Sequence, residues 1–71
     1  MAKVTNEKER ALGKKVKKFR KLLGITQEKL AEKLGISAVY MGFIEQSREI
    51  PSLKLLMKIA DKLNKKIEDL F

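Results

Sequence analysis

Two glycines and three hydroxyl residues divide this chain into short segments, and this division limits the possible fold more than any other feature. Thr26, Ser37 and Ser52 each precede a run whose apolar residues recur every three or four positions, where a hydroxyl can cap the start of a helix. Gly24 and Gly35 each follow such a run, where helices commonly end. No segment alternates polar and apolar residues for long enough to form a strand. The sequence therefore predicts an all-α fold of five short helices.

Each predicted helix has an apolar face suited to a shared core. In the third helix, over residues 37–46, either Tyr40 or Met41 is directed inward together with Ile44. Asn64 ends the fourth helix, and a last helical turn that contains Leu70 folds back on the core. We expect one domain over residues 11–71, preceded by a basic segment, residues 1–10, that frays at the amino terminus.

The charge of the chain is unevenly distributed. Seventeen Lys and Arg residues against nine Asp and Glu residues give a net charge of +8, and residues 1–24 contribute nine of the basic and two of the acidic side chains. Such a cluster attracts polyanions, nucleic acid first and an anionic membrane second. A charged helix face can also serve only to keep a protein in solution. The basic amphipathic stretch of residues 14–23 would suit a membrane surface in isolation, but the neighbouring helices need its apolar face.

Several classes of function are disfavoured by what the chain lacks. It has no Cys and no His, so disulfides, thiolate nucleophiles, Cys or His metal sites and a proton shuttle near neutral pH are absent. Ser37 and Ser52 fit a capping role better than a catalytic one. We therefore expect a protein that is not an enzyme and that needs no metal or other cofactor. No apolar run is long enough to span a membrane, which favours the cytoplasm.

The most informative unit runs from residue 26 to residue 45, where two predicted helices are joined by a glycine turn. Ala31 is small at the point where the helices must approach closely, and Gly35 follows four residues later. Ile36, Met41 and Ile44 then fill the angle between the two helices. This spacing describes a helix-turn-helix, whose second helix can enter the major groove of DNA.

Five short runs resemble the phage repressor and Cro type of helix-turn-helix, the XRE family. They occupy residues 24–31, 34–37, 40–45, 51–53 and 59–63, and the resemblance extends over residues 12–71. It implies a five-helix, lambda-repressor-like domain with helix 37–46 as the recognition helix. It also implies a sequence-specific, usually homodimeric DNA-binding domain of a transcriptional regulator. We expect this regulator to be a repressor that binds a short inverted repeat in double-stranded DNA as a homodimer and is associated with the nucleoid in the cytoplasm.

The resemblance also assigns candidate contacts with DNA. The start of the second helix is partially positive and its free N–H groups point outward, which suits a phosphate group. Arg20 and Glu45 match a largely buried ion pair that orients the recognition helix. The residues expected to contact the DNA backbone are Thr26, Gln27, Gln46, Arg48 and Lys18, and those expected to face base edges are Ser37, Ala38, Val39, Gly42 and Phe43.

The recognition helix departs from what base reading requires. Ala38, Val39, Gly42 and Phe43 cannot make the bidentate contacts by which Arg reads guanine or Gln reads adenine. Two explanations stay open: the domain reads DNA shape with modest base discrimination, or Val39 and Phe43 contact another protein. Ser47 stands where the family usually has glycine, so its backbone is strained if this position has a positive φ.

Two further predictions concern protein partners. A second copy of the chain is expected to pack against the carboxy-terminal end, with Leu70 and Phe71 as candidates for the dimer surface. The alternative to a stand-alone regulator is the antitoxin half of a toxin–antitoxin pair, which often uses the same fold. An antitoxin would bring a small protein partner.

Overall fold

Four α-helices form the part of the chain that the structure describes. The structure, a computed structural model, describes residues 7–71. The helices are α1 (Glu7–Leu22), α2 (Gln27–Leu34), α3 (Ala38–Glu45) and α4 (Leu53–Lys62), followed by one turn of 3-10 helix, Ile67–Leu70. No strand occurs in residues 7–71, so the all-α fold class is confirmed. None of the helices in this part of the chain is long and apolar enough to cross a membrane.

The prediction of five α-helices is wrong by one, because the last segment is only a 3-10 turn. The Asp69 N–H donates to the Lys66 carbonyl oxygen at 2.9 Å, and the Lys66 N–H donates to the Asp69 carboxylate at 2.8 Å. The backbone bond joins residues three apart, which is the spacing of a 3-10 helix, and the bond to the Asp69 carboxylate caps the start of this turn. The segment therefore closes the domain without a fifth α-helix.

The first helix begins earlier than the sequence indicated. Residues 7–10, which were assigned to the basic segment 1–10, form the first turn of α1, and the remainder of that segment lies outside the described residues. Glu7 and Glu9 lie in this turn, where carboxylates interact favourably with the positive end of the helix dipole.

Hydroxyl caps and left-handed residues set the boundaries of the other helices. Gly24 and Gly35 both have a φ of 72°, and Asn64 has a φ of 58°, so the predicted helix ends are confirmed. Each predicted cap accepts a hydrogen bond from the backbone N–H three residues later. The three bonds run from Lys29 N to Thr26 Oγ1 at 3.0 Å, from Tyr40 N to Ser37 Oγ at 3.0 Å and from Leu55 N to Ser52 Oγ at 3.2 Å.

The core lies where the four helices and the 3-10 turn meet. Met41 is fully buried whereas Tyr40 is half-buried, which decides the alternative that the sequence left open. Leu70 is also fully buried, so the prediction that it forms part of a dimer surface is wrong, because the 3-10 turn directs its side chain into the core. The buried apolar side chains of residues 7–71 are Leu12, Val16, Leu30, Ala31, Leu34, Met41, Ile44, Leu56, Ile59, Ala60, Leu63 and Leu70.

A glycine lets α1 approach the carboxy-terminal end of α3. A Cβ atom on Gly13 would lie 2.6 Å from the carbonyl oxygen of Glu45 and 2.5 Å from Ser47 Oγ, and would overlap the carbonyl oxygen of Ile44. Two of these three atoms belong to the backbone, so a larger residue would force the two elements apart. Gly13 therefore fixes the distance between α1 and the end of α3.

Candidate nucleic-acid interface

The two faces of α3 differ in exposure. On the inward face, Met41 and Ile44 are at most 1% exposed, whereas Val39 on the outward face is 68% exposed. Four of the five residues expected to face base edges share one shallow groove on the outward face, and Ser37 lies exposed where α3 begins. The groove is lined by Gln27, Ala38, Val39, Gly42, Phe43 and Gln46.

A bidentate ion pair holds the inward side of α3. Arg20 Nε donates to Glu45 Oε2 at 2.7 Å and Arg20 Nη2 donates to Glu45 Oε1 at 3.0 Å, with both residues buried. Arg20 Nη1 also donates to the Ile25 carbonyl oxygen at 2.9 Å. The hydrogen bonds to Glu45 raise the pKa of Arg20 against the opposing effect of burial, so the guanidinium stays charged. The pair therefore connects α1, the turn after it and α3.

Gln27 begins α2, but its side chain extends over α3. Its Nε2 donates to Glu45 Oε1 at 3.3 Å, and its amide lies beside Gly42, whose missing side chain leaves room for it. The backbone N–H groups of Gln27 and Glu28 lie in the first turn of α2, where they have no acceptor within the helix. They remain available at the same edge of the groove, while the Thr26 hydroxyl already accepts the capping bond.

Arg48 covers the ring of Phe43 at the other end of α3. The guanidinium carbon lies 4.8 Å from the ring centroid, within the range of a cation–π interaction. The Arg48 N–H also donates to the Phe43 carbonyl oxygen at 2.9 Å. Phe43 therefore presents less apolar surface to solvent than its position in the sequence suggested, and the exposed Arg48 side chain stays next to the groove.

A basic cleft lies between α1 and the end of α3. It has a volume of about 550 Å³ and is lined on the α3 side by Glu45, Gln46 and Ser47. Because Gln46 also lines the groove on α3, the groove and the cleft are adjacent. The cationic lining comes from three successive turns of α1, through Arg10, Lys14 and Lys17.

This cleft was not predicted from the sequence, which indicated Lys18 as a DNA backbone contact. Lys18 does not line the cleft, and its ammonium group lies 6.0 Å from the ring centroid of Phe19. The helical spacing of residues 10, 14 and 17 was a usable signal. Which side of α1 turns toward α3, however, depends on the close contact at Gly13.

Ser47 has a left-handed backbone, as its position in place of a family glycine suggested. Its φ is 59°, in the region that favours glycine, so the residue is strained. Its hydroxyl donates to the carbonyl oxygen of Arg10 at 2.7 Å, which offsets part of the strain and links α3 to α1.

The order and spacing of the elements match a known family. The helix-turn-helix family model matches residues 16–70, from within α1 to the end of the 3-10 turn. The chain belongs to the XRE/Cro-type helix-turn-helix family. Its members are DNA-binding transcriptional regulators, which are not enzymes. An uncharacterized HTH-type transcriptional regulator of Methanocaldococcus jannaschii is 49% identical over 57 residues, covering 80% of this chain and 86% of that protein.

Two solved regulators share the fold of this helix-turn-helix domain. The restriction-modification controller protein C.AhdI from Aeromonas hydrophila is similar with a TM-score of 0.83 and 28% identity, covering 89% of this chain and 96% of that one. SinR, the master regulator for biofilm formation, whose crystal structure is a complex with DNA, is similar with a TM-score of 0.76 and 32% identity. That match covers 83% of this chain and 95% of the SinR chain in that crystal structure.

Proposed function

We propose that this protein is a sequence-specific transcriptional regulator that inserts α3 into the major groove of DNA. The observation that carries the proposal is the position of the exposed groove on α3 between two groups of phosphate-binding features. The start of α2, with the free N–H groups of Gln27 and Glu28, lies on one side. The basic cleft lies at the other end of α3. A helix flanked in this way can face base edges while both flanks hold the DNA backbone.

The cationic contacts with phosphates are assigned to α1 and to the loop after α3. Arg10, Lys14 and Lys17 line the cleft next to Gln46, and Arg48 is exposed beside Phe43. Lys17 takes the role expected of Lys18, because the ammonium group of Lys18 lies near the Phe19 ring and outside the cleft. Each charged side chain that neutralises a phosphate contributes affinity that decreases as the salt concentration rises.

The protein is proposed to bind a short inverted repeat as a homodimer, with the two copies of α3 about 34 Å apart, one turn of DNA. Leu53 and Met57 offer a surface for the second copy, because they lie one helical turn apart on α4 and are 66% and 58% exposed. Sedimentation of the wild type and of the Leu53→Ser, Met57→Ser double variant tests this surface. The wild type is expected to dimerise and the variant to stay monomeric; a wild type that is monomeric with and without DNA would contradict the proposal.

Repression is the proposed mode of regulation, because a dimer bound across a promoter excludes RNA polymerase from the same DNA.

The alternative of a protein-interaction surface built on Val39 and Phe43 receives less support. Arg48 covers part of the Phe43 ring, so Val39 is left as the one large apolar side chain of α3 that is mostly exposed. A single side chain is not a docking patch.

Selection of bound duplexes from a random DNA pool, at a stated ionic strength, tests the proposed function. A palindromic sequence with half-sites one helical turn apart is the expected result. Duplex binding with no enriched sequence would contradict a specific regulator.

The antitoxin alternative is tested by a different experiment. Co-purification of a second small protein from the native host would favour it.

A further inference from the structure

The Gln27 amide is part of the surface that α3 presents to solvent. Its Oε1 lies 3.5 Å and its Nε2 3.8 Å from the position that a Cβ of Gly42 would occupy. The same groove contains Val39 and Phe43. The side chain of an α2 residue therefore lies among the α3 residues that are candidates for facing base edges.

The orientation of this amide is set by Glu45. An ionised carboxylate can only accept hydrogen bonds, so the group 3.3 Å from Glu45 Oε1 must be the Nε2 amino group and not the carbonyl oxygen. Glu45 is itself fixed by two hydrogen bonds from Arg20. The buried ion pair thus determines which way the amide faces.

The amide has a donor and an acceptor left over. One N–H of Nε2 is used by Glu45, which leaves the second N–H, and Oε1 accepts no hydrogen bond from any of residues 7–71. In the major groove, adenine presents the N7 acceptor next to the N6 amino donor, which a Gln side chain can pair with in bidentate fashion. Guanine presents two acceptors there, so it cannot satisfy Oε1.

We infer that Gln27 reads an adenine in the major groove and so supplies the bidentate contact that α3 lacks. The inference rests on the proposed function, since it requires α3 to lie in the groove. Gly42 contributes by having no side chain in the space that the Gln27 amide approaches. Gln27 is then a specificity-determining residue, in contrast to the phosphate contact that the sequence indicated.

The Gln27→Met variant removes the amide and keeps an unbranched side chain of similar length. It is expected to fold, because Glu45 Oε1 still accepts the hydrogen bond from Arg20 Nη2 at 3.0 Å. Equilibrium affinities are measured for the selected duplex with each of the four base pairs at each position. The wild type is expected to prefer adenine at one position in each half-site by about 5-fold to about 150-fold. The variant is expected to lose this preference and to retain the others.

A base analogue separates base reading from a phosphate contact. Replacing the preferred adenine with 7-deazaadenine removes the N7 acceptor and leaves the DNA backbone unchanged. The analogue is expected to weaken binding of the wild type and to have no effect on Gln27→Met. Arg48→Gln serves as the matched control, because it alters a proposed phosphate contact and should stay sensitive to the analogue.

The opposite pattern would overturn the inference. If Gln27→Met weakens binding to every sequence by the same factor and keeps the full adenine preference, Gln27 contacts the backbone and not a base. Failure of the proposed function is recognised separately: the wild type would then bind no duplex at low ionic strength, or would show no preference at any position.

Discussion

The inward and outward faces of α3 differ in the contacts that their side chains make within the protein. On the inward side, Ile44 is buried in the core and both oxygens of Glu45 accept hydrogen bonds from Arg20. On the outward side, Val39 and Gly42 offer no polar side-chain group. The buried contacts therefore fix the position of α3, but its outward face has few side-chain groups that could form hydrogen bonds with a partner. Recognition of a partner therefore depends on side chains that neighbouring elements place beside it.

The largest expected effect concerns the polar contact of the inward face. Glu45→Ala leaves the Arg20 guanidinium buried without its carboxylate and is expected to destabilise the fold by about 3 to 5 kcal/mol. Glu32→Ala is the matched control, because the Glu32 side chain is 73% exposed and pairs with Lys29 at 3.4 Å, so it should cost under about 1 kcal/mol. Urea unfolding followed by circular dichroism measures both. Equal unfolding midpoints would mean that the buried pair does not support α3.

Gly13, which packs against the end of α3, and Gly42, which lies within α3, are expected to respond to alanine with opposite signs. Gly13→Ala places a Cβ against the backbone of Glu45 and should destabilise the fold by about 1 to 3 kcal/mol. In Gly42→Ala the new Cβ meets only the Gln27 amide, at 3.5 Å or more, so the better helix propensity of alanine should stabilise the fold by about 0.5 to 1 kcal/mol. Thermal unfolding of the two variants checks this. A stabilising Gly13→Ala would show that α1 and α3 are not in such close contact.

Adjacent lysines of α1 are expected to differ in their effect on DNA binding. Lys17→Gln removes a charge from the basic cleft and should lower the slope of log affinity against log salt by about one unit. Lys18→Gln removes the same charge outside the cleft and should leave the slope unchanged. Fluorescence anisotropy with a labelled duplex over a range of salt concentrations distinguishes them. A larger effect of Lys18→Gln would return the phosphate contact to Lys18.

Ser47 is expected to give the smallest effect. Ser47→Ala loses the hydrogen bond to the Arg10 carbonyl, worth about 1 kcal/mol, and keeps the positive φ. Ser47→Gly loses the same bond but removes roughly 1 to 2 kcal/mol of strain, part of which is offset by the flexibility of glycine in the unfolded chain. The glycine variant should therefore unfold at a higher temperature than the alanine variant. The reverse order would show that the backbone at this position is not strained.

Features set by neighbours in the chain could be predicted from the sequence. The hydroxyl caps at Thr26, Ser37 and Ser52 and the left-handed ends at Gly35 and Asn64 depend on bonds between residues a few positions apart. The helical period then identified most of the core. The resemblance to the family added the pairing of Arg20 with Glu45, which are 25 residues apart.

Features set by contacts between distant segments could not be predicted in the same way. The position of the Gln27 amide depends on Glu45, 18 residues away, and on the space above Gly42. The rotation of α1 that places Lys17 in the cleft depends on how closely Gly13 approaches α3. The sequence placed Leu70 both in a turn that folds back on the core and on a dimer surface, because a single turn has too few residues to show which of its side chains point inward; its burial decides for the core.

Titration of the isotope-labelled protein with a duplex oligonucleotide, followed by amide NMR signals at low ionic strength, tests the central claim most directly. The signals of Gln27, Val39, Gly42 and Phe43 are expected to shift together. The signals of Leu53 and Met57 on α4 report on dimerisation and not on DNA contact, because these residues form the proposed dimer surface. Shifts confined to α4, with the signals of α3 unchanged, would contradict the claim that the outward face of α3 binds DNA.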